Sequence, residues 1–369
     1  MPIFWWYLLK NYLKVLFLAV FSFIAILLVS RLEEIAQFAS MGAKPVYLAL
    51  FTLYQIPYIL PIAIPISCLI SSMILFQRLS HTHELTALRS CGIALYRIIT
   101  PILLAGALIA ICTFYISSEL ATTSHLATRK MVYDLSSVNP ILLLQSAKIA
   151  KLQDAYVQMD PIRNGEAAKD LVIAINNRSG KRLSLCLVKR IEMEGKELVA
   201  KHVSLISSSP AEGTYDHLII ENQKRMASSA SEFAKLLRKS GWKVANDHLK
   251  FSLLRIRMQI LKERIAKGDN VVRHLQKCYS EIVLRVSQSL AALTFTLMGA
   301  AFGMEISRSR TKKGILFVLG LSAGSLISFS LGKQLAYHFW ISATLFLLPH
   351  VVILLTSFRT LNFVNRGRE

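Results

Sequence analysis

Residues 60–101 read LPIAIPISCLISSMILFQRLSHTHELTALRSCGIALYRIITP, and a short charged segment within them (76–98) separates two long apolar runs. Asp, Glu, Lys and Arg are absent from Pro45 to Gln77 and again from Ile98 to Ser118. A helix needs about 20 apolar residues to cross the hydrocarbon core of a bilayer, with a working range of roughly 17–25. Both runs are therefore predicted to span a membrane, with the charged segment at its surface.

The chain as a whole has the composition of a polytopic membrane protein. The 369 residues are 53% hydrophobic, and the mean hydropathy is +0.46, which favours the membrane class over soluble globular proteins. The segments that approach or reach the length of a span are 13–30, 46–76, 98–118, 286–304, 314–332 and 334–358. The predicted layout is three spans, an inserted domain and three further spans, divided as 1–118, 119–275 and 276–369.

The short loops between the spans predict the orientation, because Lys and Arg accumulate in cytoplasmic loops. One side carries Lys10, Lys14, Arg78, Arg89, Arg97, Arg308, Arg310, Lys312, Lys313, Arg359, Arg366 and Arg368. The other side carries only Arg31, Lys44 and Lys333 in its short loops. Both termini and the charged segment are therefore predicted to be cytoplasmic, with the inserted domain outside. The net charge of +21 then indicates an anionic lipid surface or substrate rather than nucleic acid, since much of the excess falls in the translocated domain.

The inserted domain is predicted to be rich in β-strands. Strand-like pieces lie at Ala147–Leu152, Ala155–Met159, Asp170–Asn176, Arg182–Val188, Leu198–Ile206 and His217–Glu221. Turn signals at 176–180 and 194–196 separate some of them, and 231–240 and 253–267 have a helical pattern. Short strands at regular spacing indicate an antiparallel sandwich or jelly roll. The residues thus predict a six-span α-helical membrane protein with an inserted antiparallel sandwich or jelly roll on the outer side.

The second span contains Pro57, Pro61 and Pro65, whose spacing of four places them on one helix face. Each proline removes a backbone donor and tends to kink the helix, which membrane helices tolerate where neighbours satisfy the freed carbonyls. One interpretation is a tilted, kinked packing helix. The other is a hinge that opens a lateral gate.

The charged segment is predicted to contain a short amphipathic helix at about 82–92. Thr82 or Ser80 is a candidate cap, Glu84 falls in the first turn, and Gly92 is suited to end the helix. An apolar stripe is formed by Leu85, Leu88 and Cys91, and Glu84 and Arg89 lie off it. Such a helix, tied directly to two spans, could transmit motion from a soluble partner. The alternatives are an interfacial helix among lipid headgroups or a plain loop.

Residues 60–101 resemble the corresponding stretch of the lipopolysaccharide export permeases, the LptF/LptG (YjgP/YjgQ) family. The matching positions are Arg78, Leu79, Glu84, Leu85, Ala87, Leu88, Arg89, Ser90, Gly92, Ile93, Arg97, Ile98 and Pro101. A second similar block, YSEIVLRVSQSLAALTFTLMGAAFGMEISRSRTKKGI (279–315), carries Glu281, Arg285, Gly299, Gly303, Arg308 and Gly314, and Val-Asn-Pro at 138–140 is similar too. The chain departs from the family pattern at 299–303, where the usual proline is missing.

This resemblance implies that the inserted domain is an antiparallel β-jellyroll-like periplasmic domain. It also implies that the chain is one half of a heterodimeric transporter that sits on a cytoplasmic LptB-like ABC ATPase dimer. The pair would extract lipopolysaccharide from the bacterial inner membrane and pass it to LptC/LptA-like jellyroll bridge proteins in the periplasm. It also implies that 82–92 is the coupling helix, with Glu84 engaging the ATPase groove beside Leu85, Leu88, Arg89 and Gly92. Arg31 is the closest match to the family's lipid-binding cations, and Lys44 lies on the same side; ordinary snorkelling towards headgroups is the alternative.

No catalytic residues, cofactor or metal site are predicted. The sequence has no G-x-x-x-x-G-K-[ST] motif, so ATP would be used by a partner subunit. His81 and His83 are two residues apart and diverge around a helix, which disfavours a metal site. His350 is predicted to be a neutral histidine facing neighbouring helices rather than a proton relay. The other functions left open are an ABC permease for another lipid or lipoprotein, and a membrane scaffold with a periplasmic binding module.

Overall fold

The computed structural model describes residues 2–40, 43–138, 149–152, 155–163, 167–176, 183–194, 197–209, 217–229, 245–268, 271–309 and 312–366. The predicted helix 231–240, the turn residues 177–180 and 195–196, Asn139-Pro140 and the basic residues Arg310 and Arg368 lie outside the described residues.

Within the described residues, six helical segments are long and apolar enough to cross a membrane, which confirms all six predicted spans. They are α1 (Pro2–Val29), α3 (Pro45–His81), α5 (Leu95–Tyr115) with its continuation α6 (Ala121–Val138), α8 (Val272–Ser309), α9 (Lys312–Gln334) and α10 (Phe339–Asn365). A π-helical turn, Ile116–Leu120, joins α5 to α6. The shorter helices are α2 (Leu32–Ser40), α4 (Glu84–Ser90), α7 (Phe251–Ala266) and a 3-10 turn at Asn246–His248. The helix predicted at 253–267 is confirmed as α7, whereas α2 was not predicted.

The chain forms two compact units. One comprises Met1–Ser30, Tyr54–Leu126 and Val244–Glu369, and the other Arg31–Leu53 and Ala127–Lys243. The predicted division of the chain into 1–118, 119–275 and 276–369 separates the membrane spans from the inserted domain, and it stays a prediction. Both boundaries fall inside continuous helices, because helical hydrogen bonding continues beyond the apolar part of each span.

The core of the first unit is built around α8, which packs against α5 and α10. At Gly299 it lies directly against α3: an added Cβ would lie less than 3.0 Å from both Ser72 Oγ and the Leu69 carbonyl oxygen. One turn later, a Cβ on Gly303 would lie 2.8 Å from the carbonyl oxygen of Met73. Small residues four apart allow membrane helices to pack backbone against backbone. The glycines of 299–303 therefore give this span a close helix contact in the segment that departs from the family pattern.

The second unit contains one antiparallel six-stranded sheet, whose strand order, β1-β2-β3-β4-β5-β6, is that of a meander. The strands are β1 (Ile149–Leu152), β2 (Ala155–Arg163), β3 (Ala167–Asn176), β4 (Leu183–Glu194), β5 (Glu197–Ser209) and β6 (His217–Ser229). All six predicted strands are confirmed, and several extend further than predicted. Among the described strands, each pairs with its neighbour in sequence, so the order left open by the sequence is sequential.

A row of charged residues crosses the middle of this sheet. The pairing is interrupted between β3 and β4 at Asp170 and Lys189, and between β4 and β5 at Lys189 and His202. Asp170 has φ 50° and His202 has φ 56°, a left-handed conformation that non-glycine residues seldom adopt. Aspartate and histidine are among the residues enriched there. The sheet is thus locally distorted along this row, while Leu171, Val188 and Val203 beside it remain buried.

Candidate functional site

The helix α4 attaches to the membrane unit through its apolar face. Leu85 is buried, and Leu88 and Ile93 pack against the same hydrophobic cluster, which includes Tyr12 of α1 and Val364 of α10. The prediction that Cys91 extends this stripe is wrong: α4 ends at Ser90, and Cys91 is exposed. The seven-residue helix is too short to be stable alone in water, so its hydrophobic contacts must hold it in place.

The start of α4 differs from the prediction. Neither Ser80 nor Thr82 is the cap; the N-cap residue is His83, at φ 58°, and it makes no side-chain cap hydrogen bond. The Thr82 hydroxyl is instead 3.0 Å from both the Arg78 carbonyl oxygen and Glu84 Oε1. The chain needs a left-handed residue here because α3 continues to His81 and must turn sharply before α4 begins.

The end of α4 is closed by Gly92, as predicted. Its φ of 77° places it in the left-handed region that glycine adopts without steric cost. The Gly92 amide donates to the Arg89 carbonyl (2.9 Å), and the Ile93 amide donates to the Leu88 carbonyl (3.1 Å). These two bonds form a Schellman motif. The apolar contact typical of that motif is available because Ile93 and Leu88 pack on one cluster.

Glu84 is the first residue of α4 and is only partly buried. Its carboxylate accepts a hydrogen bond from Thr82 through Oε1 and lies 3.5 Å from the Tyr7 hydroxyl through Oε2. A carboxylate at a helix N-terminus is also stabilised by the helix dipole. The Thr82 and Tyr7 hydroxyls thus flank the Glu84 carboxyl group at the accessible end of α4.

Arg89 connects the other end of α4 to the C-terminus of α10. Its guanidinium donates from Nη1 to the Val364 carbonyl (3.3 Å) and from Nη2 to the Asn365 carbonyl (3.2 Å). The last carbonyls of a helix lack intrahelical partners and attract cations. Arg89 therefore links α4 to the last span, α10.

The three prolines of α3 lie inside one continuous helix. Pro61 and Pro65 are buried and Pro57 is half-buried. Pro61 lines a cavity of about 100 Å³, together with Tyr58 and Arg285. Burial of this face agrees with a packing role, and the hinge or gate role stays a prediction.

The two predicted lipid-binding cations flank the short helix α2. Arg31 directly precedes it and forms an ion pair with Glu34, and its carbonyl accepts the amide of Ile35. Lys44 is exposed, and its carbonyl accepts the first hydrogen bond of α3 from Leu48 (3.1 Å). The basic side chain of Arg31 thus has an acidic neighbour that the sequence analysis did not weigh.

His350 lies between α10 and α8 with both ring nitrogens engaged. Nε2 is 2.8 Å from Ser287 Oγ, and Nδ1 is 3.1 Å from Thr294 Oγ1. Both hydroxyls also lie within hydrogen-bond distance of backbone carbonyls, Ser287 of Phe346 (2.7 Å) and Thr294 of Leu290 (3.2 Å). The histidine faces a neighbouring helix as predicted, and its neutral state stays a prediction.

Arg285 carries a buried interaction that the sequence analysis did not identify. Its side chain is 2% exposed, and Nε donates to Glu281 Oε1 at 3.1 Å. Nη2 donates to the carbonyls of Asn246 (3.2 Å) and Leu249 (2.9 Å). The i,i+4 spacing of Glu281 and Arg285 was a readable signal of an ion pair on one helix face, but its carbonyl partners are 36–39 residues away.

The geometry can be placed beside what is known of similar proteins. Residues 6–362 match the family model described as lipopolysaccharide export system permease LptF/LptG. The matched region includes α4, the inserted sheet and nearly all of the six candidate spans. No curated protein matches the chain.

Proposed function

The chain belongs to the lipopolysaccharide export permease family LptF/LptG, and we propose that it is one membrane subunit of an ATP-driven exporter. Family membership implies a permease role in lipopolysaccharide export. The proposal adds a separate LptB-like cytoplasmic ABC ATPase dimer as the source of energy and a paralogous permease as the second half. It also adds LptC/LptA-like jellyroll proteins as the acceptors of the lipid. In this arrangement the protein lies in the bacterial inner membrane, with both termini cytoplasmic and the β domain periplasmic.

The observation that carries the coupling proposal is the two-sided construction of α4. Leu85 and Leu88 fix one side of the helix to a cluster shared with the spans, and Arg89 fixes its end to α10. Glu84 and the exposed Thr86 remain accessible. A force applied to the accessible side would be transmitted, through contacts that are already formed, to a cluster built from α1, α3, α5, α8 and α10. Glu84 would accept a charge-assisted hydrogen bond from a basic residue of the ATPase.

Substitution Glu84→Gln tests this docking. It preserves the shape of the side chain and removes the charge, so insertion in the membrane should be unchanged. Affinity for the ATPase should fall about tenfold or more, since tenfold corresponds to about 1.4 kcal/mol and charge-assisted hydrogen bonds contribute about 1.5–3 kcal/mol. The measurement is copurification of the ATPase with the permease pair, and Thr86→Ala on the same helix is the matched control.

The pair Leu85→Ala and Leu88→Ala tests transmission rather than docking. Both side chains face the spans, so the double variant should still bind the ATPase through Glu84 while lipid-stimulated hydrolysis and export fall. If Glu84→Gln and this double variant both preserve ATPase binding and coupled export, α4 is not the coupling element.

Arg31 and Lys44 are proposed as contacts for the lipid phosphates. Since Glu34 competes with a phosphate for the Arg31 guanidinium, Glu34→Gln should increase photocrosslinking of lipopolysaccharide near Arg31, and Arg31→Gln should reduce it. Equal crosslinking in both variants would leave Arg31 as a headgroup-anchoring residue.

The alternative functions differ in what copurifies. A permease for another lipid or a lipoprotein would carry that lipid in mild detergent. A scaffold would carry no ATPase whose hydrolysis rate responds to added lipid. Mass spectrometry of the bound proteins and lipids therefore separates the three functions.

A further inference from the structure

Three side chains of residue types that can ligate a metal lie close together in the first compact unit. His125 lies on α6, and Asp247 and His248 lie in the 3-10 turn that precedes α7. One ligand atom from each lies within 4.8 Å of the other two. All three residues belong to the first compact unit, so their arrangement is part of one packed body.

The two imidazole rings are oriented by their neighbours. The His125 and His248 rings meet edge to face at a centroid distance of 4.2 Å, and the Tyr58 ring packs on His125 at 4.6 Å. The His248 side chain is 1% exposed, and its Nε2 lies 3.7 Å from Asp247 Oδ1. Within the described part of the chain, that carboxylate oxygen is buried and accepts no hydrogen bond. A buried carboxylate oxygen in this state is costly unless a cation or water compensates it.

The turn that supplies two of the three ligands is held firmly. Arg285 donates to the carbonyls of Asn246 and Leu249, one residue before and one residue after the ligand pair. The Asn246 side-chain amide also donates to Cys278 Sγ at 3.4 Å. Fixed backbone around ligating side chains reduces the entropy lost when an ion binds.

We propose that His125, Asp247 and His248 bind a divalent transition-metal cation of the Zn²⁺ class. Two imidazole nitrogens and one carboxylate oxygen are a donor set that Zn²⁺ accepts in tetrahedral geometry, and they leave the fourth position open. Ligand atoms on one such ion are about 3.4 Å apart, from metal–ligand bonds of about 2.1 Å, so small side-chain rotations complete the site. Asp247 also lines the cavity of about 100 Å³ that Glu281 and Arg285 share, which gives the open position room for water. The ion would tie α6 to the turn before α7.

The test uses Co²⁺ as a spectroscopic probe of the full-length protein. The protein is purified in detergent without a polyhistidine tag, stripped with a chelator, and titrated with CoCl₂ and then with ZnCl₂. We expect one equivalent of Co²⁺ with the intense visible absorption of a tetrahedral site, displaced by Zn²⁺. Asp247→Asn and His125→Gln should each weaken Co²⁺ binding at least tenfold. His274→Gln, which changes an exposed histidine on α8, is the matched control and should bind as the wild type does.

Two results would overturn the proposal, and neither depends on the folding of a variant. One is a wild-type protein that takes up less than one equivalent of either metal under these conditions. The other is a wild-type affinity for Co²⁺ that is no greater than the affinity of the Asp247→Asn variant. The Asp247 side chain is 34% exposed, and asparagine has the same shape as aspartate. In either case the two histidines form only a ring-packing pair. Neither result bears on Glu84 or on coupling to an ATPase.

Discussion

Replacement of Gly299 by alanine adds one methyl group at the point where α8 touches α3. The new Cβ would lie less than 3.0 Å from Ser72 Oγ and from the Leu69 carbonyl oxygen, and 3.0 Å from the Met73 amide nitrogen. The Ser72 side chain can rotate, but the two backbone atoms can retreat only if α3 moves. Overpacking of this kind costs about 1–3 kcal/mol, and two backbone contacts favour the upper half of that range.

The matched control is Gly320→Ala on α9, where an added Cβ meets no atom within 4 Å. Both substitutions gain the same intrinsic helix propensity, about 1 kcal/mol for alanine over glycine. Subtracting one variant from the other cancels this gain and leaves the cost of the clash. We therefore expect Gly299→Ala to be about 2–3 kcal/mol less stable than Gly320→Ala.

The assay is thermal unfolding of the purified, detergent-solubilised chain, followed as the loss of the monodisperse peak in size-exclusion chromatography after heating. Gly299→Ala should unfold at a clearly lower temperature than the wild type, and Gly320→Ala at the same or a higher temperature. Equal unfolding temperatures for the two alanine variants would refute the backbone contact between α3 and α8.

Three further predictions concern α4 and the sheet. Gly92→Ala should destabilise the end of α4 by about 1–2 kcal/mol, because alanine is strained at positive φ, and faster hydrogen exchange at the Ile93 amide would report it. Arg89→Gln should weaken the α10 terminus by up to about 1 kcal/mol, with faster exchange of its last amides and a smaller change in Arg89→Lys. Lys201 donates a hydrogen bond to Glu192 that holds the pKa of this carboxyl below its ordinary value of 4.5. The stabilisation from this pair is therefore complete above pH 4.5 and lost as the pH falls through the lowered pKa, and Lys201→Gln should raise the pKa of Glu192 in an NMR titration.

The membrane part of the fold was predictable because its signal is local. A run without charge from Pro45 to Gln77 must satisfy its backbone within one helix in lipid, whatever lies elsewhere in the chain. The six strands were found for a similar reason, since alternation and turn residues act over a few positions. The helix α2 was missed because Leu32–Ser40 is short and contains Glu33 and Glu34, which break the apolar pattern.

The candidate sites divide in the same way. A local sequence motif is enough to group the predicted coupling residues, because they lie on one short segment: Glu84, Leu85, Leu88, Arg89 and Gly92. The predicted caps Thr82 and Ser80 were wrong because the choice of cap depends on how α3 ends, and α3 ends in a left-handed turn at His83. The partner of Arg89 at Val364 is 275 residues away, and no local pattern predicts it.

Sequence alone determined the number of spans, the inserted β domain and the position of the charged helix between two spans, because hydrophobic length and strand alternation are properties of neighbouring residues. Tertiary structure alone decided that Gly299 touches α3, that Arg285 holds the 246–249 turn, and that His125 meets Asp247 and His248. These contacts join residues that are far apart in the chain, and their geometry is set by how whole helices pack together.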